Sequence, residues 1–463
     1  MNPASASALE IAARVRRGEL SAEALTRAAL DRVETLNPSL NCFTTLLSRN
    51  AIESARIVDS RVGNGEDPGP LAGVPVGVKD LFDVEGVVTL AGSKILADNP
   101  PAATDAVLLR RLRRAGAVLI GCQNMDEFAY GFTTENAHYG ATHNPHDATR
   151  VAGGSSGGSA ASVAAGLVAI SLGSDTNGSI RVPSSYCGVF GLKPTFGRLP
   201  RTGTFPFVHD LDHLGPFARS ATDVALAYDV IQGHDPGDPA CTQRPAEYAS
   251  AATQMDVGGL NAGVLGGWFE EGASDDALDA VRRVAEALGP VTKVLLPEAK
   301  RARAAAFCIT CATGAALHYE RLKSRPHDFD PATRDRFFAG TMLPATVLAR
   351  AQRFRRWFAE AAAALFRKFD VLLAPSTPDV APLIGQKTMK LRGVDVPTRP
   401  NIGIYTQPIS FIGLPVAAVP LWTARGLPIG VQIIGPPWEE ARVLRVAAYL
   451  ERAGVVSSKK PSA

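Results

Sequence analysis

The chain has 463 residues, with 48 lysines and arginines against 45 aspartates and glutamates, a formal net charge of +3. That balance gives no basis for a nucleic-acid or membrane partner, and no window of eighteen apolar residues predicts a membrane span. Six cysteines in so long a chain do not make a disulfide framework. The N-terminus is amphipathic, contains acidic residues and has no apolar core like that of a signal peptide, so we expect a cytoplasmic protein.

The first sixty-five residues predict helices. Two are expected within 5–37, the second capped by Ser21 and ended by Asn37-Pro38, and a third within 50–62.

The next part of the chain, 66–235, predicts short strands between helices. The expected elements are a buried strand at 71–80 ending in Lys79-Asp80, a helix at 104–115, a strand at 117–122, a loop at 143–152, a small-residue helix at 160–169, a turn at 174–178 and a helix from Ser220 to Ile231.

The remainder, 236–463, begins with a polar connection and then alternates strands with helices. Strands are expected at 262–267, 291–297, 369–376, 417–421 and 429–435, and helices at 275–289, 298–323, 330–368 and 439–453. The alternation predicts an α/β protein with a mixed sheet covered by helices on both faces.

The stretch 151–181 is rich in glycine and serine and holds few large side chains. Glycine lets backbone approach a ligand closely, and serine hydroxyls can donate, accept or attack. The stretch lacks the Gly-Lys-Ser/Thr ending of a P-loop. Residues Gly153 to Gly157 fit the pattern G-x-S-x-G, but the buried strand that precedes this pattern in esterases is missing here. We therefore interpret it as a site for something small.

Two other patterns are weak metal signals. His143 and His146 are separated by Pro145, which forbids a regular helix, and no carboxylate follows at a useful distance. Cys308 and Cys311 form a single C-x-x-C in an apolar helical stretch, without the second pair that zinc usually requires. We expect no metal and no cofactor.

The turn 173–181 suits acyl transfer. Converging backbone N–H groups can stabilise an oxyanion, and Ser179 can attack if a base takes its proton. Lys79 can serve as that base if burial keeps its amine neutral, although a lysine at a strand end is more often exposed.

Several motifs together resemble the amidase signature family over nearly the whole chain. They are GVPVGVKD at 73–80, NMDEFAYG at 124–131, GGSSGGSAASVAAG at 153–166, GSDTNGSIRVPSSYCGVFGLKPT at 173–195, LDHLGPFARS at 211–220, FDVLLAPS at 369–376 and GLPIGVQIIG at 426–435. The resemblance implies one domain over 1–463 with a mixed sheet of about eleven strands.

The resemblance also implies roles for individual residues. Ser179 matches the nucleophile, Ser155 the bridging serine after a cis peptide bond, and Lys79 the base. The N–H groups of Thr176, Asn177 and Gly178, with that of Ser179, match the oxyanion hole. Asn177 stands where glycine is commoner, and we interpret its side chain as part of the pocket or as a residue that merely tolerates the turn.

Three activities within the family fit the motifs. The preferred one is ammonia release from a small ureido compound, 1-carboxybiuret or biuret. The alternatives are the amidase subunit of glutamyl-tRNA amidotransferase, from which YTQPISFIGLP at 405–415 departs, and a broad-specificity amidase. The resemblance further implies an oligomer and a small helical accessory subunit like the small subunit of the transamidase.

Motif position also suggests residues of the substrate pocket. It selects Met125, Tyr130 and Gln407 for the pocket wall. A substrate carboxylate would favour an arginine partner. The candidates are Arg321, Arg325, Arg334 and Arg399. For each of them the alternative interpretation is that it lies on a solvated helix face.

Overall fold

A sheet of eleven strands runs through the computed structural model, which describes residues 6–391 and 393–461. The predicted first helix residue, 5, lies outside the described residues. The described strands are β1 (Phe43–Leu46), β2 (Pro75–Lys79), β3 (Val118–Gln123), β4 (Glu135–Asn136), β5 (Gly140–Ala141), β6 (His143–Asn144), β7 (Asp147–Val151), β8 (Ile170–Asp175), β9 (Phe190–Lys193), β10 (His213–Ala218), β11 (Ala262–Leu265), β12 (Val291–Val294), β13 (Val371–Pro375), β14 (Thr388–Leu391), β15 (Val394–Pro397), β16 (Val416–Trp422) and β17 (Pro428–Ile434).

Helices contribute the layers around this sheet. They are α1 (Ala8–Arg16), α2 (Ala22–Leu40), α3 (Ser48–Gly63), α4 (Val107–Arg114), α5 (Gly157–Ala164), α6 (Arg181–Cys187), α7 (Ala221–Ile231), α8 (Ala249–Ala252), α9 (Asp275–Ala287), α10 (Ala299–Ser324), α11 (Pro331–Thr341), α12 (Ala345–Phe366), α13 (Thr398–Asn401), α14 (Gln407–Phe411) and α15 (Glu440–Arg452).

The sheet is mixed, with the strand order β1-β3-β2-β8-β10-β9-β16-β17-β13-β11-β12. Strands β3, β2 and β8 run parallel, as do β13, β11 and β12, and the strands between these two groups pair antiparallel. Every residue of β2, β8 and β10 is buried, so both faces of the sheet are covered, because successive side chains point to opposite faces. The predicted α/β class, the eleven-strand sheet and its helical cover are confirmed.

The sheet brings two distant segments together. Because β2 and β8 are parallel neighbours, with Val78 opposite Leu172, the end of β2 at Lys79 lies beside the end of β8. Helix α5 packs on both strands, so the serines just before it reach the same edge of the sheet.

Several element boundaries differ from those predicted. Helix α2 continues past Asn37-Pro38 to Leu40, because a proline in the last turn removes only one hydrogen bond. The Asn37 side chain closes the turn by bonding both backbone groups of Phe43, at 2.8 Å to its N–H and 3.2 Å to its carbonyl.

The small-residue helix lies earlier in the chain than its sequence predicts. It begins at Gly157 and ends at Ala164, and Gly166 then takes a φ of +67°, the left-handed conformation that ends many helices. The next residues form the central strand β8, which the sequence does not reveal because ISLGSD has little β-branched character.

Two other predictions are corrected. Residues 143–151 are not a loop but hold the short hairpin β6–β7, which lies outside the main sheet. Residues 330–368 are not one helix, because Pro344 separates α11 from α12, whereas the predicted helix 298–323 is confirmed as α10.

Candidate active site

Lys79 is buried at the edge of the sheet, not exposed at a strand end. Its Nζ donates to Ser155 Oγ at 2.6 Å and to Ser174 Oγ at 2.8 Å. Burial lowers the pKa of Lys79 to about 7, against the opposing pull of Asp126 and two further carboxylates. At neutral pH a large fraction of this amine is therefore unprotonated and able to accept a proton.

Ser155 is fully buried, and the peptide bond that precedes it, Gly154–Ser155, is cis. Its hydroxyl contacts Lys79, and its carbonyl accepts from the Asp126 N–H at 3.3 Å. A cis bond at this position is what the family resemblance implies. The structure thus places the predicted bridging serine and the predicted base within hydrogen-bond distance of one another.

The turn that carries Ser179 is fixed by a buried ion pair. Arg181 donates to both oxygens of Asp175 at 3.0 Å, and the Ile180 N–H donates to Asp175 at 3.1 Å. Burial alone would raise the pKa of Asp175, but the Arg181 guanidinium holds it well below its usual value. Asp175 is therefore an anion that anchors the turn.

Contacts from other elements complete that anchor. Thr176 donates from Oγ1 to Asp212 at 2.6 Å, and Thr406 donates from Oγ1 to the Asn177 carbonyl at 2.8 Å. Gly178 has a φ of +141°, and a Cβ there would clash with the Thr406 side chain, so this position requires glycine.

Backbone donors in the turn remain available. In the described part of the chain, the N–H groups of Asn177, Gly178 and Ser179 have no acceptor. Such N–H groups, held by the anchored turn, can stabilise a developing oxyanion.

Ser179 opens onto a cavity of about 660 Å³. The wall includes residues from the NMDEFAYG segment, from the Ser179 turn, from α10 and from the start of α14. Tyr130 and Gln407 line it, as predicted from motif position, and so do Thr176 and Asn177. Met125 does not, because its side chain is fully buried and its carbonyl accepts from Asn136 at 2.9 Å.

The cavity wall is cationic. Lys300, Arg303 and Arg336 line it, and no aspartate or glutamate does. Among the described residues none of these three forms a salt bridge. The sequence did not single them out, although 300, 303, 304, 307 and 308 follow the spacing of one helix face.

The arginines selected from sequence lie elsewhere, outside the lining of this cavity. Arg325 and Arg334 pair with Asp328 and Asp335, Arg399 pairs with Glu135, and the Arg321 guanidinium lies 5.9 Å from the Phe205 ring centre. Each already has a structural partner.

The weak metal signals have structural explanations. His143 and His146 contact the backbone carbonyls of Ala148 and Cys187, at 2.6 and 3.0 Å. Cys308 lines the cavity, and Cys311 Sγ lies 2.9 Å from the Tyr130 hydroxyl. Within residues 6–391 and 393–461, no group of three or more His, Cys, Asp or Glu side chains could hold a metal ion.

Comparison with known proteins gives three similarities. Residues 24–444 match the family model described as Amidase. The chain is 51% identical over 453 residues to AtzE, a 1-carboxybiuret hydrolase subunit of Pseudomonas sp. strain ADP, covering 97% of this chain and 99% of that protein. It is 37% identical over 476 residues to a glutamyl-tRNA(Gln) amidotransferase subunit from Carboxydothermus hydrogenoformans, covering 96% of each.

Solved structures agree with the sequence matches. One, described as a vestigial protein complex that reveals the evolutionary origins of an s-triazine catabolic enzyme, has a TM-score of 0.97 at 50% identity, covering 98% of this chain and 100% of that one. A bacterial aryl acylamidase of the amidase signature family has a TM-score of 0.90 at 28% identity, covering 97% and 96%.

Proposed function

Because the chain belongs to the amidase family and is a hydrolase of amide C–N bonds, we propose that its substrate is a small anionic ureido compound, 1-carboxybiuret or a close analogue. The observation that carries this proposal is the cavity at Ser179, which three cations line and no acidic residue does. A carboxylate is the natural partner of unpaired guanidinium groups.

The relatives support the same choice. Identity is 51% to the carboxybiuret hydrolase and 37% to the amidotransferase, over similar shares of the chain. Biuret remains a candidate as the neutral ureido counterpart of this substrate.

The first half of the reaction forms an acyl-enzyme. Ser179 Oγ attacks the terminal amide carbon while its proton passes to Ser155, and Ser155 passes its own proton to the neutral Lys79 amine. The N–H groups of Thr176, Asn177, Gly178 and Ser179 stabilise the oxyanion. The C–N bond then breaks as a proton returns through Ser155 to the leaving nitrogen, and ammonia departs.

The second half regenerates the enzyme. Water attacks the acyl carbon, its proton follows the same route to Lys79, and the bond to Ser179 breaks as Ser179 regains a proton. The net change is hydrolysis of one terminal amide to a carboxylate and ammonia, with Lys79 returned to its starting state. The residues named supply each proton transfer.

An ammonia-release assay tests this function. Purified protein is compared on 1-carboxybiuret, biuret, glutamine, malonamide and benzamide, with Ser179→Ala as the matched inactive variant. We expect carboxybiuret to give the highest kcat/KM and Ser179→Ala to lose at least about 10⁴-fold while keeping the wild-type melting temperature. A preference for benzamide or for glutamine, or turnover by a folded Ser179→Ala, would contradict the proposal.

We further propose that the protein works in an oligomer with a small helical accessory subunit. The support is that the 51% identical relative is named as a hydrolase subunit and that a 50% identical structure is described as a protein complex. Co-expression with small neighbouring open reading frames, followed by affinity capture and mass measurement, tests this; a fully active monomer would contradict it.

A further inference from the structure

The three cations of the cavity differ in how they are held. Arg336 donates to the Tyr130 carbonyl at 3.2 Å, and its guanidinium stacks 4.8 Å from the Tyr130 ring centre. Lys300 stands one helical turn before Arg303 on α10. Of the three, Arg303 makes the most polar contacts with the protein, and all of them are with neutral groups.

Arg303 is held by three neighbours, two of them in α13 and one at the start of α14. Its Nε donates to Gln407 Oε1 at 3.0 Å, and its Nη2 donates to the Pro400 carbonyl at 2.7 Å and to Asn401 Oδ1 at 3.0 Å. In the described residues its Nη1 has no partner. The guanidinium is thus oriented by three acceptors, with two N–H groups left over.

No carboxylate neutralises this group. Burial lowers the pKa of Arg303, and no acidic side chain opposes that effect. Side-chain amides and carbonyls orient a guanidinium without cancelling its charge, whereas an aspartate would compete with an anionic ligand. The arrangement therefore keeps a positive charge available at the cavity wall.

We propose that Arg303 is the specificity residue that binds the carboxylate of the substrate, and that Gln407 is its positioning residue. This inference rests on the proposed function only in assuming an anionic amide substrate. A fixed guanidinium loses little rotamer freedom on binding, so it discriminates more sharply than a mobile lysine.

Two amides of equal length, one charged and one neutral, can isolate recognition of the carboxylate. In carboxybiuret three atoms separate the carboxylate carbon from the terminal amide carbon, and the same number separates them in glutaramate. Glutaramide has the same length without the charge. The ratio of kcat/KM for glutaramate to that for glutaramide therefore measures recognition of the carboxylate alone.

The test compares this ratio among variants. Arg303→Gln is expected to lower this ratio about 30-fold or more, mainly through a higher KM for glutaramate. Arg303→Lys should recover part of the loss, and Gln407→Leu should give an intermediate loss because Arg303 keeps its charge but not its orientation. Arg334→Gln is the matched control and should leave the ratio unchanged, because Arg334 is a partly buried α11 arginine that pairs with Asp335 and lies outside the cavity lining.

Measuring ligand binding to an inactive variant tests the inference without relying on turnover. Glutaramate binding to Ser179→Ala, followed by calorimetry, should weaken by a similar factor when Arg303→Gln is added. Equal losses for both amides, or equal effects of Arg334→Gln and Arg303→Gln, would overturn the role of Arg303.

Different results would contradict the proposed function and the proposed role of Arg303. If carboxybiuret is hydrolysed but the ratio does not depend on Arg303, the inference is wrong and the function stands. If carboxybiuret is not a substrate but glutaramate discrimination needs Arg303, the function is wrong and the inference stands.

Discussion

Lys79 shows how burial changes the chemistry of one residue. The sequence identified it through the GVPVGVKD motif, but a lysine at a strand end is ordinarily solvated and protonated. Its burial and its contacts with Ser155 and Ser174 come from strands and loops that meet only in the fold. Its role as base stays a prediction, which pH dependence can test.

Activity should rise with pH through about 7. The pKa of Lys79 is lowered to about 7, so the neutral amine that accepts a proton predominates above that value, and kcat/KM for glutaramide should fall about tenfold per unit below it. Initial rates of ammonia release between pH 5 and 9 measure this profile.

Lys193 offers a matched control for that profile. It is also a fully buried lysine, and its Nζ donates to the Pro194 carbonyl at 2.9 Å, outside the Ser179 cavity. Lys193→Met should keep the profile, whereas Lys79→Met should lose activity at every pH while remaining folded. An active Lys79→Met variant would exclude it as the base.

At the scale of elements, α10 carries both a wall of the cavity and part of an aromatic core. Its residue His318 lies 4.0 Å from the Phe128 ring centre and 4.8 Å from that of Phe337. Neither ring nitrogen of His318 has a hydrogen-bond partner among the described residues. Burial lowers its pKa to about 3, so the folded protein holds it neutral.

His318 should make the protein acid-sensitive. Its pKa is lowered from 6.5 to about 3, so the unfolded chain takes up the proton first, and stability is lost as pH falls from about 6.5 toward 3. By pH 5 the loss amounts to about 2 kcal/mol.

Replacing the histidine tests this contribution. His318→Leu should reduce the drop in free energy of unfolding between pH 7 and pH 5 by about that amount, measured by urea unfolding. His327, which is exposed just after the end of α10, is the control, and His327→Leu should leave the pH dependence as in wild type. An unchanged slope in His318→Leu would contradict the assignment.

At the scale of the whole molecule, one sheet collects strands from residue 43 to residue 434. This continuity supports our proposal that residues 1–463 form a single domain. No described helix is long and apolar enough to cross a membrane. The net charge of +3 is small, so the cationic cavity is a local feature and not a reflection of overall composition.

Raising the salt concentration should therefore lower kcat/KM only for charged substrates. Raising ionic strength from about 0.02 to 0.2 M shortens the screening length about threefold, so kcat/KM for glutaramate should fall severalfold while that for glutaramide stays constant. Steady-state assays with sodium chloride and, separately, sodium sulfate measure the effect. Equal salt dependence for both amides would indicate a general effect on the protein instead of attraction by the cavity.

The sequence by itself determined the family, the fold class and the candidate residues Lys79, Ser155 and Ser179. These lie in continuous motifs whose glycines and serines are local constraints on the backbone. Only the tertiary structure decided that Lys79 is buried, that Ser174 is its second partner and that Arg303 faces the cavity while Arg321 does not. Those facts depend on which helix face turns inward and which strands become neighbours, and such long-range packing leaves no local pattern in the chain.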